Sequence, residues 1–216
     1  MIKMDEYFNE LKRRNITRLC HFTKSSNLPF ILGDGEFEKN GILSSQYIKK
    51  SNYLEELDKQ RMDNHLDYVC CSIQRINSKY FKRRREQEKG DLFNQWAVLY
   101  IDPKIINDTT LFSPVNAATA RGANLHGGVD AFRNLFGNPI SYVRYGRQNY
   151  MDRATNLPDN FTTDVQAEVL IKDRIPKNCI IGVAFPDDTY QVEKQRLSFC
   201  LGNGNLGINI ERLEDE

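Results

Sequence analysis

The residues best suited to catalysis form a short polar pair in the last third of the chain. Gln166 and Glu168 flank Ala167, and strand alternation would place both polar side chains on one face, with Val169 and Ile171 on the other. A carboxylate beside an amide on a rigid strand can stabilise positive charge, accept a proton and recognise an acceptor. An edge strand with a solvated face gives the same pattern, so the residues alone leave both interpretations open.

Two further groups of polar residues lie at the ends of predicted elements. A predicted strand ends in His21-Phe22-Thr23 and is followed by Asn27. Arg61 ends a predicted helix just before another strand. Single residues in such positions are more often structural than functional, and an arginine at a helix end is usually a solvated charge. Their role depends on what surrounds them.

A glycine-rich segment, Gly202 to Gly207, matches the dinucleotide-binding fingerprint letter for letter but has the wrong context. A functional fingerprint opens a helix within a βαβ unit and has an acidic partner roughly 20 residues later. Only nine residues follow Gly207. We therefore expect this segment to form a turn between two terminal strands, and any NAD to be held without a Rossmann domain.

Composition narrows the class of protein. The chain has 216 residues, of which 40% are hydrophobic, which suits a single domain over residues 1–216. The formal net charge is +1, so an anion-binding surface must be local. The five cysteines and three histidines lack metal-ligand spacing, which predicts chemistry without a metal. The charged start and the lack of a long apolar run predict a cytoplasmic protein without a membrane contact.

Hydrophobic periodicity predicts helices near the start and strands in the second half. The predicted helices cover residues 4–14, 25–32, 51–62 and 127–136. The predicted strands cover residues 16–23, 67–73, 96–103, 165–172, 179–185 and 191–199. This order favours an α+β fold with a mixed, mostly antiparallel sheet and N-terminal helices over regular βαβ winding.

Several segments, in the same order along the chain, resemble the DarT family of toxin ADP-ribosyltransferases. They are His21-Phe22-Thr23, Asn27 to Leu32, Gly41 to Ser44, Arg61 ahead of Asp67-Tyr68-Val69, Asn116-Ala117-Ala118 and Gln166-Ala167-Glu168. The stretch Gly33 to Asn40 looks like an insertion relative to the family pattern. The resemblance implies an ADP-ribosyltransferase-like fold with NAD as co-substrate, a toxin of a toxin-antitoxin system, and a macrodomain antitoxin as its partner.

The resemblance also implies roles for individual residues. It makes Glu168 and Arg61 catalytic, with Glu168 beside the ribose and Arg61 on the pyrophosphate. The implied NAD-binding residues are His21, Phe22, Thr23, Asn27, Gly41 and Arg61. An acceptor in RNA or protein, or an inactive nucleic-acid-binding relative, is the alternative.

The implied acceptor is a base of single-stranded DNA. Arginines interleaved with tyrosines suit a single strand, because charges follow phosphates and rings stack on unpaired bases. The expected DNA-binding residues are Arg144, Tyr145, Arg147, Tyr150, Arg153 and Gln166. The run Lys82 to Arg85 is either a second DNA contact or a solvated turn. The modified base is either guanine or thymine. The segment Cys70 to Ile73 departs from the commonest family pattern, which suggests a divergent branch whose target base differs from thymidine. The Gln-x-Glu pair favours guanine.

Overall fold

The computed structural model of the chain describes residues 2–33, 41–48, 62–87, 95–202 and 207–213. The strands, in chain order, are β1 (Leu19–Lys24), β2 (Ile42–Leu43), β3 (Tyr68–Ile73), β4 (Trp96–Ile101), β5 (Leu111–Ser113), β6 (His126–Gly127), β7 (Ile140–Arg144), β8 (Arg147–Met151), β9 (Glu168–Lys172), β10 (Arg174–Ile175), β11 (Ile180–Phe185) and β12 (Asn209–Arg212). The helices are α1 (Ile2–Arg13), α2 (Leu28–Leu32), α3 (Ser45–Ile48), α4 (Ser78–Gln87), α5 (Val129–Asn134) and α6 (Tyr190–Cys200).

Most of these strands form one mixed sheet in the order β12-β11-β4-β1-β3-β9-β5-β6. Its neighbouring strands are antiparallel, except that β11 and β12 are parallel. Two separate pairs, β2 with β10 and β7 with β8, extend from it. This arrangement confirms the predicted α+β class with a mostly antiparallel sheet.

Apolar side chains cover both faces of the centre of the sheet. All six residues of β4 are buried, which explains why its sequence is a continuous apolar run rather than an alternating one. On one face, Tyr7 of α1 packs against Phe112 and Phe132, with ring centroids 6.0 and 6.2 Å away. Burying a large apolar side chain contributes about 1.5–3 kcal/mol, so this cluster fixes α1 and α5 against β5.

One predicted strand is a helix. Residues 191–199 were expected to form a strand, but they lie within α6. The buried side chains of this segment are Glu193 and Leu197, four residues apart, which is helical spacing. Val192 and Phe199, two apolar residues of this segment, are 67% and 88% exposed. The strand prediction is therefore wrong, because apolar residues of this segment do not face the core.

Two other predictions need correction. The run Lys82 to Arg85 is not a turn; it lies inside α4. The strand expected over 165–172 begins only at Glu168. Before it, the N–H of Ala167 donates to the carbonyl of Asp164 at 3.0 Å, which closes a turn. The predicted helix at 127–136 is confirmed as α5, and the one at 51–62 lies outside the described residues except for its last position.

Candidate active site

A cleft opens where β1 and β3 separate: their pairing ends at Cys20 and Ser72, and consecutive residues of both strands line it, together with Glu168 at the start of β9. In antiparallel strands, directly opposite residues share a face and so do alternate residues of one strand. The register therefore places Phe22, Cys70 and Glu168 on the same face. The polar side chains that line the cleft include His21, Thr23, Asn27, Asn77, Tyr80, Arg84, Asn116, Gln166 and Glu168.

Glu168 is held at the start of β9 by the segment that follows β5. Its Oε1 accepts a hydrogen bond from Nδ2 of Asn116 at 2.8 Å and another from the N–H of Ala117 at 3.2 Å. The Oδ1 of Asn116 in turn accepts from the N–H of Ala118 at 3.1 Å, which fixes which end of the amide faces Glu168. Hydrogen bonds to an ionised group are the strong ones, so this carboxylate has a defined position before any ligand arrives.

The turn before Glu168 is built on a buried carboxylate. Asp164 is only 9% exposed, and its Oδ1 accepts from the N–H of Gln166 at 2.9 Å. Burial raises the pKa of Asp164 above its ordinary value. Gln166 is thereby placed in a turn at the exposed edge of the cleft. It lies near Glu168 because of this turn, and not because the two residues alternate along a strand.

The β1 side of the cleft carries the polar residues predicted near the start of the chain. Nδ1 of His21 lies 2.8 Å from the carbonyl of Cys70, and because a carbonyl only accepts, Nδ1 carries the hydrogen. Asn27 donates from Nδ2 to Oγ1 of Thr23 at 3.1 Å, and both side chains are buried. The structure thus places His21, Phe22, Thr23 and Asn27 together in the cleft.

Helix α4 supplies Tyr80, which the sequence analysis missed, and Arg84, which it gave only as part of a DNA contact or a solvated turn. Tyr80 and Arg84, four residues apart, both line the cleft. Tyr80 packs on Phe22 with ring centroids 5.9 Å apart, and Phe81 anchors the helix by packing on Phe22 at 5.4 Å and on Trp96 at 6.0 Å. The (i, i+4) spacing of a tyrosine and an arginine is the signal that a helical prediction of this segment would have used.

The two remaining predicted NAD-binding residues are Gly41 and Arg61. Gly41 has φ +57°, and a Cβ there would come within 2.0 Å of the carbonyl oxygen of Ile175, so glycine is needed for β2 to approach β10. Gly41 does not itself line the cleft, although the adjacent Ile42 and Leu43 do. Arg61 lies outside the described residues.

The expected DNA-binding residues are concentrated on the β7–β8 hairpin. Tyr145 and Gly146 form its turn with φ of 52° and 69°, and Arg144 pairs with Arg147 across it. Tyr145 is 87% exposed and Tyr150 is 67% exposed, so both rings are accessible.

A buried asparagine ties this hairpin to the segment that holds Glu168. The Oδ1 of Asn124 accepts from the N–H of Val143 at 2.6 Å, and its Nδ2 donates to the carbonyl of the same residue at 3.0 Å. Asn124 follows Ala117 and Ala118 along the chain, so the hairpin is connected to the β5 side of the cleft.

Arg153 differs from the other predicted DNA-binding residues. Its guanidinium donates to the carbonyls of Phe161 and Pro158 at 2.8 and 2.6 Å and to Oγ1 of Thr163 at 3.2 Å. Burial lowers the pKa of this arginine, as expected for a guanidinium drawn away from water. These donors are directed into the protein, so Arg153 holds the loop before Asp164 rather than presenting its charge to a phosphate.

The glycine-rich segment near the end of the chain joins α6 to β12, and residues 203–206 lie outside the described part. We expected this segment to join two strands. That prediction is wrong for the element before it, because a helix and not a strand precedes Gly202. Among the described residues, no three His, Cys, Asp or Glu side chains are grouped to hold a metal ion. In the same part of the chain, no helix is both long and apolar enough to cross a bilayer.

Comparison with known proteins gives a family match over most of the chain. Residues 20–209 match the family described as "ssDNA thymidine ADP-ribosyltransferase, DarT". No curated protein matches the sequence.

Solved structures of similar fold include two of Thermus sp. 2.9 DarT. The complex with NAD+ is 12% identical with a TM-score of 0.55, over 91% of this chain and 95% of that one. The complex with ADP-ribosylated ssDNA is also 12% identical with a TM-score of 0.55, over 92% and 95%. Thermosipho africanus DarTG in complex with ADP-ribose is 15% identical with a TM-score of 0.51, and the chain covers only 50% of it. At these identities the likeness concerns the fold.

Proposed function

Because the chain belongs to the DarT family of ssDNA thymidine ADP-ribosyltransferases, we propose that its cleft binds NAD and that Glu168 is the catalytic carboxylate. The enzyme transfers ADP-ribose from NAD to single-stranded DNA. The assignment of Glu168 rests on how its carboxylate is held. Asn116 and Ala117 both donate hydrogen bonds to Oε1 and fix the carboxylate in a cleft that His21 and Thr23 also line.

The donors and walls of the cleft suit a dinucleotide. Ligand pockets combine apolar walls with a few fixed polar groups, and here Phe22 and Ile31 provide apolar surface beside the fixed amide of Asn27. We assign the pyrophosphate to Arg84, whose planar guanidinium can donate in pairs to phosphate oxygens. Arg61 keeps its predicted role as a second such arginine.

The chemistry that NAD supplies is an ADP-ribosyl group with nicotinamide as its leaving group. As that bond breaks, positive charge builds on the sugar, and a carboxylate fixed beside it lowers the barrier. Glu168 provides this charge without having to reorganise, because Asn116 already holds it. The same carboxylate accepts the proton of the attacking base nitrogen.

We assign the acceptor strand to the hairpin turn and to Gln166. Arg144 and Arg147 contact phosphates, Tyr145 and Tyr150 stack on neighbouring bases, and Gln166 reads the edge of the base from the rim of the cleft. Arg153 is left out of this surface because its guanidinium holds the adjacent loop.

The family description names thymidine, and we propose thymidine rather than guanine as the modified base. We further propose that residues 1–216 form one domain, since one apolar cluster combines residues from α1 to α6, that the enzyme is cytoplasmic and works without a metal, and that it is the toxin of a toxin-antitoxin pair. Its antitoxin would carry a macrodomain that removes the modification.

The test is transfer of label from NAD to single-stranded DNA, duplex DNA, RNA and protein. We expect modification of single-stranded DNA alone, because a base must leave the stack before it can react. Glu168→Ala should lower the transfer rate on the order of 100-fold or more while NAD still binds. Glu6→Gln, on the surface of α1, serves as the control. Transfer by Glu168→Ala at the parental rate would remove Glu168 from the chemistry.

A further inference from the structure

Helix α4 presents three kinds of surface at once. Phe81 is 3% exposed and packs into the core, and Tyr80 and Arg84 line the cleft. Lys79, Lys82 and Arg83 are exposed to solvent. The run of basic residues is therefore not one uniform patch, because successive residues of a helix point about 100° apart.

The exposed basic face reaches the side of the cleft at Arg83. At about 100° per residue, Arg83 is displaced by about 60° from Tyr80 and Lys79 by about 100°, whereas Lys82 points about 160° away. The helix also covers the same face of the sheet from which Glu168 projects, because Phe81 packs on Phe22. A strand leaving the cleft past Tyr80 thus meets Arg83 first, then Lys79 and Lys82 as it passes round the helix.

Helix stability does not account for Lys79. A cation in the first turn opposes the helix dipole, yet Lys79 lies there and α4 has no acidic residue in its first turn. Lys79 also lies three and four residues from Lys82 and Arg83, where like charges are unfavourable. Arg85 differs, since it pairs with Asp188 at 2.8 Å. Among the described residues, Lys79, Lys82 and Arg83 have no such ion pair.

We propose that Lys79, Lys82 and Arg83 bind the phosphates of the DNA strand on one side of the modified nucleotide. This inference rests on the proposed function. The hairpin is connected to the β5 side of the cleft through Asn124, whereas α4 covers β1 and β4. The strand therefore crosses the cleft from the hairpin to α4 and is held on both sides of the base that reacts. Glu86, one turn further on, limits the phosphate-binding part to the first two turns.

The test compares the parent with the triple variant Lys79→Gln, Lys82→Gln, Arg83→Gln. The control is Lys12→Gln, Lys104→Gln, Lys194→Gln, which removes the same charge from exposed positions that do not line the cleft. Each phosphate contact contributes about 0.7 to the slope of log affinity against log salt for a single strand, so the slope should fall by about 2 in the α4 variant only. At 0.1 M salt this corresponds to an affinity loss on the order of 100-fold that disappears near 1 M.

The length of the oligonucleotide gives a second readout. Trimming the nucleotides on one side of the modified base should weaken binding by the parent and the control, and should not weaken the α4 variant further. Hydrolysis of NAD in the absence of DNA should be equal in all three proteins. If the parent modifies DNA but the α4 variant has the same salt slope as the parent, this inference is wrong and the proposed function still stands. A parent that modifies no oligonucleotide would overturn the proposed function and the inference with it.

Discussion

Removing the amide of Asn116 should slow the transfer of ADP-ribose to DNA much more than it weakens the binding of NAD. Asn116→Ala deletes the donor that lies 2.8 Å from Oε1 of Glu168 and keeps the N–H of Ala117 at 3.2 Å. A hydrogen bond to a charged group is worth about 1.5–3 kcal/mol, and about 1.4 kcal/mol changes a rate tenfold. We therefore expect kcat to fall about 10- to 100-fold, less than in Glu168→Ala.

A second substitution at Asn116 tests whether its side chain acts by positioning the Glu168 carboxylate or only by filling space. Asn116→Asp puts a carboxylate against Glu168, and two adjacent carboxylates resist being ionised together. Because the reaction needs ionised Glu168, the acid limb of the pH profile of kcat should move to higher pH, and activity should partly recover in alkaline buffer. Asn116→Ala should lower kcat without that displacement.

The assay is single-turnover transfer to a single-stranded oligonucleotide from pH 5 to pH 9, with NAD affinity measured by calorimetry. Asn178→Ala, an exposed position outside the cleft, is the matched control. A kcat of Asn116→Ala equal to that of the parent, or an acid limb that stays in place in Asn116→Asp, would refute the role of Asn116.

Two further predictions concern the hairpin and the buried carboxylate. Arg144→Glu with Arg147→Glu should reduce DNA modification far more than NAD hydrolysis, whereas Lys104→Glu with Lys194→Glu should affect neither; an equal fall of both activities in the hairpin variant would contradict a DNA role. Burial raises the pKa of Asp164, so the folded protein binds this proton more tightly than the unfolded chain does. The free energy of unfolding of the parent should therefore fall as pH rises from about 3.9, the ordinary carboxyl pKa, through the raised pKa of the folded state. Thermal melts of Asp164→Asn should lack that fall and match or exceed the parent at pH 7; a clearly lower Tm there would show that the ionised carboxylate is stabilising.

The sequence predicted the strands whose burial shows in their residue pattern. β3, β4 and β11 are runs of apolar residues, and their existence follows from that alone. It failed at α6, because a helix that buries only Glu193 and Leu197 leaves little helical periodicity to detect.

The site was predicted in parts but not as an arrangement. Glu168, His21 and Thr23 were singled out by residue type and family pattern. The bond from Asn116 to Glu168 joins residues 52 positions apart, and it exists only because β5 pairs with β9. Such a contact depends on tertiary structure, which local pattern cannot supply. The contacts of Arg153 could not be predicted for the same reason, since its partners are mainly carbonyls that a sequence does not place.

The position of β9 between β3 and β5 has a consequence for how the protein is made. β5 pairs with β9 and β6, so it has no link to the rest of the sheet until β9 has been synthesised. Domains begin to fold while the chain is still being extended from its N-terminus, but here the closing strand comes late and begins with Glu168 itself. A nascent or prematurely terminated chain that ends before residue 168 lacks both the carboxylate and the strand that joins the two sides of the cleft. Translation must therefore pass β9 before the cleft can be complete.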